Sequence, residues 1–259
     1  MNEATASKIL DFWNDRAPLG PTAGTNDFIL SGIERDFICE IIPPNSRVLD
    51  LGCGNATSLL QLVSRRNCQG VGVDFSPAMV TEAQSAVQQA GAADKLTIRQ
   101  HRLPPVPTEF GKFDAVYSQR CLINLTAVEE QREAVQSVAG ILKTGGAYIM
   151  IECSIEGGER TNAIRTHLGL ERIEPPWHNL FMHEDEIASW GTSGLRLEKM
   201  IHISSTYHML SRIVYAKLAA DSGESLRYDS DINLLAAKLP RDIGEFGPVK
   251  AWIWHKQGE

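Results

Sequence analysis

A single α/β domain built on a mostly parallel sheet is the fold class that this sequence predicts, and three observations predict it. Between about Arg47 and Glu152, short runs rich in Val, Ile and Leu alternate with longer amphipathic stretches, the signature of repeated β-α units. This β-α repetition specifies a parallel sheet covered on both faces. The first of the short runs ends in a glycine-rich turn, Gly52-Cys53-Gly54, that opens directly into a helical pattern. Such a turn lets a ligand approach the main chain, and the helix beyond it presents unpaired N–H groups. At 259 residues the chain can enclose one sizeable core, so 1–259 reads as one unit.

Taken in order, residues 3–16 place Ile9, Leu10, Phe12 and Trp13 at helical spacing before a loop of Gly, Pro and Thr. A second amphipathic helix spans Phe28 to Ile42, and Pro43-Pro44 stops it. Strands are expected at Arg47–Leu51, Gly70–Asp74, Leu96–Gln100, Phe113–Ser118 and Ala147–Glu152. The helices between them read as Ser58–Arg65, one from Ser76-Pro77 to Ala90 with an N-cap and proline in place, and Ala127–Leu142. From Glu156 to Met182 the chain is polar, with Gly157-Gly158 and Pro175-Pro176, and reads as an irregular insertion followed by a short helix, His183–Trp190. Leu195–Ser204 predicts a sixth strand, Leu210–Ala220 and Ile232–Leu239 two helices, and Val249–Lys256 a last strand with Trp252 and Trp254 on one face. The single unit thus divides into a lead segment, 1–27, a core, 28–155, and two insertions, 156–194 and 205–248.

Composition excludes some functions. Lys and Arg number 25 against 32 Asp and Glu, a formal net charge of −7 with a pI near 5.6, which argues against general affinity for nucleic acid or anionic membrane. No apolar run approaches the roughly 20 residues of a membrane span, and Met1-Asn2-Glu3-Ala4 lacks the form of a signal peptide, so a cytoplasmic location is expected. The five cysteines, Cys39, Cys53, Cys68, Cys121 and Cys153, show neither paired nor zinc-type spacing and read as reduced buried thiols, with no metal implied.

In an open α/β sheet, ligands bind beyond the carboxyl ends of the strands where the strand order reverses. Asp74 lies about 20 residues past the glycine turn, where an acidic side chain can take both hydroxyls of a ribose. A dinucleotide fingerprint would need a third glycine at position 57, which is Thr57, and no phosphate loop is present. Four segments now carry a resemblance: Val48-Leu49-Asp50-Leu51-Gly52-Cys53-Gly54, Val71-Gly72-Val73-Asp74-Phe75-Ser76-Pro77-Ala78-Met79, Phe113-Asp114-Ala115-Val116-Tyr117-Ser118 and Leu142-Lys143-Thr144-Gly145-Gly146. In order and spacing they resemble the successive motifs of class I S-adenosylmethionine-dependent methyltransferases, over roughly residues 28–152.

The resemblance implies a Rossmann-like seven-stranded sheet of order 3-2-1-4-5-7-6 with helices on both faces and only the last strand antiparallel. It implies S-adenosyl-L-methionine as cofactor, with Gly52 and Gly54 near its methionine part, Asp74 on the ribose, and Phe75 with Met79 flanking the adenine. Asp50 would orient the loop or meet the amino group, and Ser118 lies at the end of the fourth strand. Where the family often has an acidic residue after the third strand, this chain has Gln100-His101-Arg102, so His101 and Arg102 or backbone carbonyls would line the ring. Phe12-Trp13-Asn14-Asp15-Arg16 resembles a lid helix in which Trp13 and Arg16 close over the cofactor.

The acceptor side should form from the segments after the fourth, fifth and sixth strands. Arg120, Asn124 and Glu152 are candidates there, Arg120 because a cation at the switch point invites an anionic group. Each has a structural alternative: Asn124 as a cap, Arg120 in an ion pair, Glu152 on a loop amide. Trp177-His178-Asn179 brings an aromatic, a base and an amide into a long loop of lid character, making His178 a catalytic candidate. Tyr207-His208, His167 and Arg165 are weaker candidates on the same rim. Two insertions over one mouth favour a small acceptor, and a weaker similarity to methyltransferases of surface-polysaccharide and natural-product pathways points to a sugar hydroxyl or a secondary-metabolite oxygen or nitrogen. An NAD-dependent oxidoreductase and a non-catalytic cofactor-binding subunit are the competing readings.

Overall fold

The computed structural model describes residues 3–258; Met1, Asn2 and Glu259, which belong to the 1–259 unit read from the sequence, lie outside the described residues. Seven strands form one sheet: β1 Arg47–Leu51, β2 Gln69–Asp74, β3 Leu96–Gln100, β4 Phe113–Gln119, β5 Leu142–Cys153, β6 Leu195–Ile201 and β7 Val249–Lys256. Their order is β3-β2-β1-β4-β5-β7-β6, and only β7 runs antiparallel to its neighbours, as expected. Because β1 lies between β2 and β4, the chain reverses its direction of sheet growth at β1, and a crevice opens beyond the carboxyl ends of β1 and β4.

The helices start where local chemistry allows. Helix α1 spans Glu3–Arg16 and α2 spans Phe28–Ile41, the latter capped by Asp27, whose Oδ1 accepts from the Leu30 N–H at 3.0 Å. Helix α3, Thr57–Arg66, begins after Ala56 in the left-handed region, and α4, Pro77–Gln89, carries the expected Ser76 cap with its Oγ accepting from the Met79 N–H. Helix α5 covers Val128–Ser137. Tyr117, Tyr148, Trp252 and Trp254 are all buried in the one core that the sheet and its helices share. Among the described residues no helix is long and apolar enough to cross a membrane. All five cysteines are free, four of them buried.

The structure corrects several of the expected elements. The helix expected to reach Leu142 stops at Ser137, a short 3-10 turn comes next, and β5 begins at Leu142 rather than Ala147, pairing with Phe113 before an irregularity shifts the register. The sixth strand ends at Ile201, not Ser204. The insertion after β5 is not wholly irregular: Ile155–His167 forms α6, with the Ser154 Oγ accepting from the Gly157 N–H at 3.1 Å. Its glycine pair looked like a turn because the packing reason is nonlocal: a Cβ on Gly157 would come within 2.2 Å of the Gly247 carbonyl oxygen. After the short α7, Glu184–Ala188, and β6, the second insertion folds as α8 Ser205–His208, a π-helical turn Met209–Tyr215, α9 Ala216–Ser222 and α10 Asp231–Ala236.

Candidate active site

The turn after β1 is built for close approach. Gly52 adopts φ 77°, and a Cβ there would lie 2.3 Å from the Cys121 Sγ, so no side chain fits. The N–H groups of Gly52 and Cys53 both donate to the Val73 carbonyl, at 2.8 and 2.9 Å, which ties the turn to the end of β2. Gly54, at φ 51°, would have its Cβ in open space, and its N–H donates to the Asp74 Oδ2 at 2.9 Å. The other Asp74 oxygen accepts from the Ser76 N–H at 2.9 Å. Burial raises the Asp74 pKa, and these two backbone bonds oppose the rise.

Asp50, near the carboxyl end of β1, is buried and accepts from the Tyr117 hydroxyl at 2.7 Å. Its second oxygen, Oδ1, has no hydrogen-bond partner. Burial above all pushes its pKa up to about 8, the Tyr117 bond acting against this and the Asp74 charge with it. An unpartnered buried carboxyl oxygen facing a cavity suits a ligand cation.

That cavity is about 770 Å³ and runs from the turn to the inner insertions. Toward the turn it is lined by Asp50, Gly52, Gly54, Asp74, Phe75 and Met79, with His101 and Arg102 at the far rim. Trp13 and Arg16 of α1 close it from above: the Trp13 indole donates to the Asn124 Oδ1 at 3.2 Å, and Arg16 donates to the Thr22 carbonyl at 3.3 Å. Phe12 stacks on His178, with centroids 4.3 Å apart, and meets Trp177 edge-on at 5.8 Å. The N-terminal helix and the loop after α6 therefore interlock over one mouth. His178 and Asn179 line the cavity, whereas Trp177 is exposed and braces them from outside.

At the inner end stand Arg120, Cys153 and His208. Arg120 takes a positive φ of 51°, and its Nε pairs at 3.2 Å with the buried Glu34 of α2, which the Gln119 amide also reaches at 2.6 Å. His208 donates from Nδ1 to the Ser204 carbonyl at 3.0 Å, leaving Nε2 as the acceptor, and burial, followed by the Arg212 charge, lowers its pKa to about 3. Its ring fills the space where Gly247 would carry a Cβ, 2.2 Å from its Cγ.

Three sequence candidates sit elsewhere. Glu152 is fully buried and does not line the cavity; it accepts from the N–H groups of Cys121, Leu122 and Ile123, at 3.1, 3.0 and 3.3 Å, and so holds the loop carrying Asn124. Tyr207 donates its hydroxyl to Asp27 at 2.8 Å, and Ser118 faces the Tyr148 hydroxyl at 3.0 Å, both buried away from the cavity. Of the weaker candidates, Arg165 bonds the Glu171 carbonyl and His167 points to solvent, while His208 enters the cavity wall. Glu34 and Arg35 went unread, because on α2 they form part of an ordinary polar face and only the topology turns them toward the crevice.

Comparison with known proteins agrees with this geometry. Residues 48–146 match the family model of a methyltransferase domain. Among curated relatives, a demethylmenaquinone methyltransferase of Lactiplantibacillus plantarum is 30% identical over 112 residues, 42% of this chain and 46% of that protein. The O-methyltransferase resE of Aspergillus sclerotiorum is 24% identical over 109 residues, 42% of this chain and 40% of that protein. The chain thus spans less than half the length of these two relatives. Among solved structures, the geranyl diphosphate C-methyltransferase of Streptomyces coelicolor, bound to Mg²⁺, geranyl diphosphate and S-adenosyl-L-homocysteine, superposes with a TM-score of 0.58 at 15% identity, covering 88% of this chain and 81% of that one. The [4+2]-cyclase SpnF matches with a TM-score of 0.56 at 21% identity over 87% of this chain and 80% of that one, so the fold by itself does not decide the chemistry.

Proposed function

We propose that the chain, whose residues 48–146 match the family model of a methyltransferase domain, moves a methyl group from S-adenosyl-L-methionine to an oxygen or nitrogen of a small molecule, of the sugar or secondary-metabolite kind. One observation carries the reading: a single cavity joins a ribose-type carboxylate and an unpartnered buried Asp50 oxygen to a compartment roofed by the lid and both insertions. The residues fit the cofactor. Asp74 keeps free lone pairs for the ribose hydroxyls, Asp50 Oδ1 takes the amino group, Gly52 and Gly54 admit the methionine part, and Phe75 with Met79 flank the adenine.

When bound, the sulfonium supplies an electrophilic methyl group together with its own leaving group. The chain's residues then align the acceptor and keep water out, which is most of what such a displacement requires. Phe12, Trp13 and His178 form the cover. If the acceptor is a hydroxyl, its proton needs a base of suitable pKa. His208, at about 3, is too acidic to hold it near neutrality, whereas His178, its pKa lowered by half-burial and then by Arg16, lines the cavity with an unpartnered Nδ1.

Calorimetry with S-adenosylhomocysteine and with NAD tests the donor, and radiolabelled methyl transfer across a panel of hydroxyl and amine acceptors tests the reaction. Binding of the homocysteine product with exclusion of NAD is expected. Binding of NAD alone overturns the reading, and cofactor binding with no transfer to any acceptor would leave a non-catalytic subunit.

A further inference from the structure

The inner end of the cavity carries two arginines. Arg35 of α2 and Arg120 at the end of β4 both line it. One carboxylate backs the pair, Glu34, which takes the Arg120 Nε at 3.2 Å and the Gln119 amide at 2.6 Å. The neighbouring acids are engaged elsewhere: Asp36 with Arg65 and Gln61, Asp27 with Arg212 and the Tyr207 hydroxyl, Glu152 with loop amides. Arg35 donates to the Ser31 Oγ, and among the described residues its guanidinium has no carboxylate partner. Burial above all lowers its pKa, the Glu34 and Asp36 charges act against this and the Arg120 charge with it.

Two guanidiniums line one partly dry space, and Arg35 has no ion pair of its own among the described residues, an arrangement that is costly unless an anion completes it. We infer that the methyl acceptor carries a carboxylate, bound against Arg35 and Arg120 on the inner wall; this rests on the methyl-transfer reading. A planar carboxylate matches the guanidinium fork in geometry and in charge. A dianionic phosphate would leave surplus negative charge beside Glu34, whose Oε1 already lacks a hydrogen-bond partner.

The test is titration calorimetry of the protein, alone and saturated with S-adenosylhomocysteine, against benzoate and indole-3-acetate, their primary amides, and phenyl phosphate. Each acid is expected to bind at least about tenfold tighter than its amide. Arg35→Gln should abolish that preference and Arg35→Lys retain part of it, with affinity for S-adenosylhomocysteine unchanged in both. Equal affinity for acid and amide, failure of both acids to bind, a preference that survives Arg35→Gln, or tighter binding of phenyl phosphate overturns the inference. A wild-type protein that prefers the acids yet never binds S-adenosylhomocysteine would instead sink the donor assignment and leave the anion subsite standing.

Discussion

Cofactor binding should expel a proton from Asp50, and the size of that effect can be worked from the site. Burial above all, with the Asp74 charge and against the Tyr117 bond, pushes the Asp50 pKa up to about 8. Near pH 6 the free protein therefore holds this carboxyl almost fully protonated, about 99% for a two-unit difference. An ammonium group placed against Oδ1 favours the ionised form and returns the pKa toward the ordinary carboxylate range. Binding at pH 6 should then release close to one proton, and affinity should rise about tenfold per pH unit, roughly 1.4 kcal/mol, between pH 6 and 8. Above about pH 8 the gain ends, because the Asp50 carboxyl is by then ionised in the free protein as well. Titration of S-adenosylhomocysteine in buffers of different ionisation enthalpy measures the released proton directly. Asp50→Asn preserves an acceptor for the Tyr117 hydroxyl and removes the titrating group, so both the release and the pH slope should vanish. Glu152, though raised to about 7, faces loop amides and should not contribute. Binding without proton release at pH 6, or a slope that persists in Asp50→Asn, would refute the contact between Asp50 and the amino group.

Asp74→Ala should weaken S-adenosylhomocysteine at least about 100-fold by calorimetry, since two charge-assisted bonds to the ribose are lost and the Gly54 and Ser76 amides lose their acceptor; unchanged affinity would refute the ribose assignment. His178→Ala should lower turnover while cofactor affinity stays within about twofold, a split that steady-state kinetics and calorimetry read separately; unaltered turnover with the true acceptor leaves His178 only its packing against Phe12. Gly247→Ala forces a Cβ to 2.2 Å from the His208 ring at a φ of 75°, and an expected loss of about 3 kcal/mol lowers Tm by roughly 6–12 °C in a scanning measurement. An unshifted Tm there would mean that the ring does not press on that glycine.

The cofactor half of the site was legible in the sequence because its determinants are local. A glycine turn, an acidic residue at the end of the next strand and a Ser-Pro helix start each declare themselves within a few residues, and the sheet order came from the family whose motifs they resemble. The acceptor half is assembled from residues whose meaning depends on distant chain. Arg35 belongs to the polar face of a helix ahead of the first strand, and only the sheet order brings it beside Arg120. Glu152 ends a strand as a catalytic carboxylate would, yet three amides from the loop after β4 claim it. His208 outranks its sequence signal because Gly247, 39 positions later, vacates the space for its ring. In α6, Gly157 imitated loop chemistry because its lack of a side chain serves the approach of Gly247 rather than a turn.

The clasp between α1 and the two loops beneath it has a kinetic consequence. Trp13 is hooked to Asn124 while Phe12 leans on His178, so a single segment touches the walls of both compartments at once. Neither occupant can then come or go without loosening a latch that also guards the other. On the methyl-transfer reading, spent donor and methylated acceptor would leave past this clasp, and the fluorescence of the Trp13 indole should report its opening.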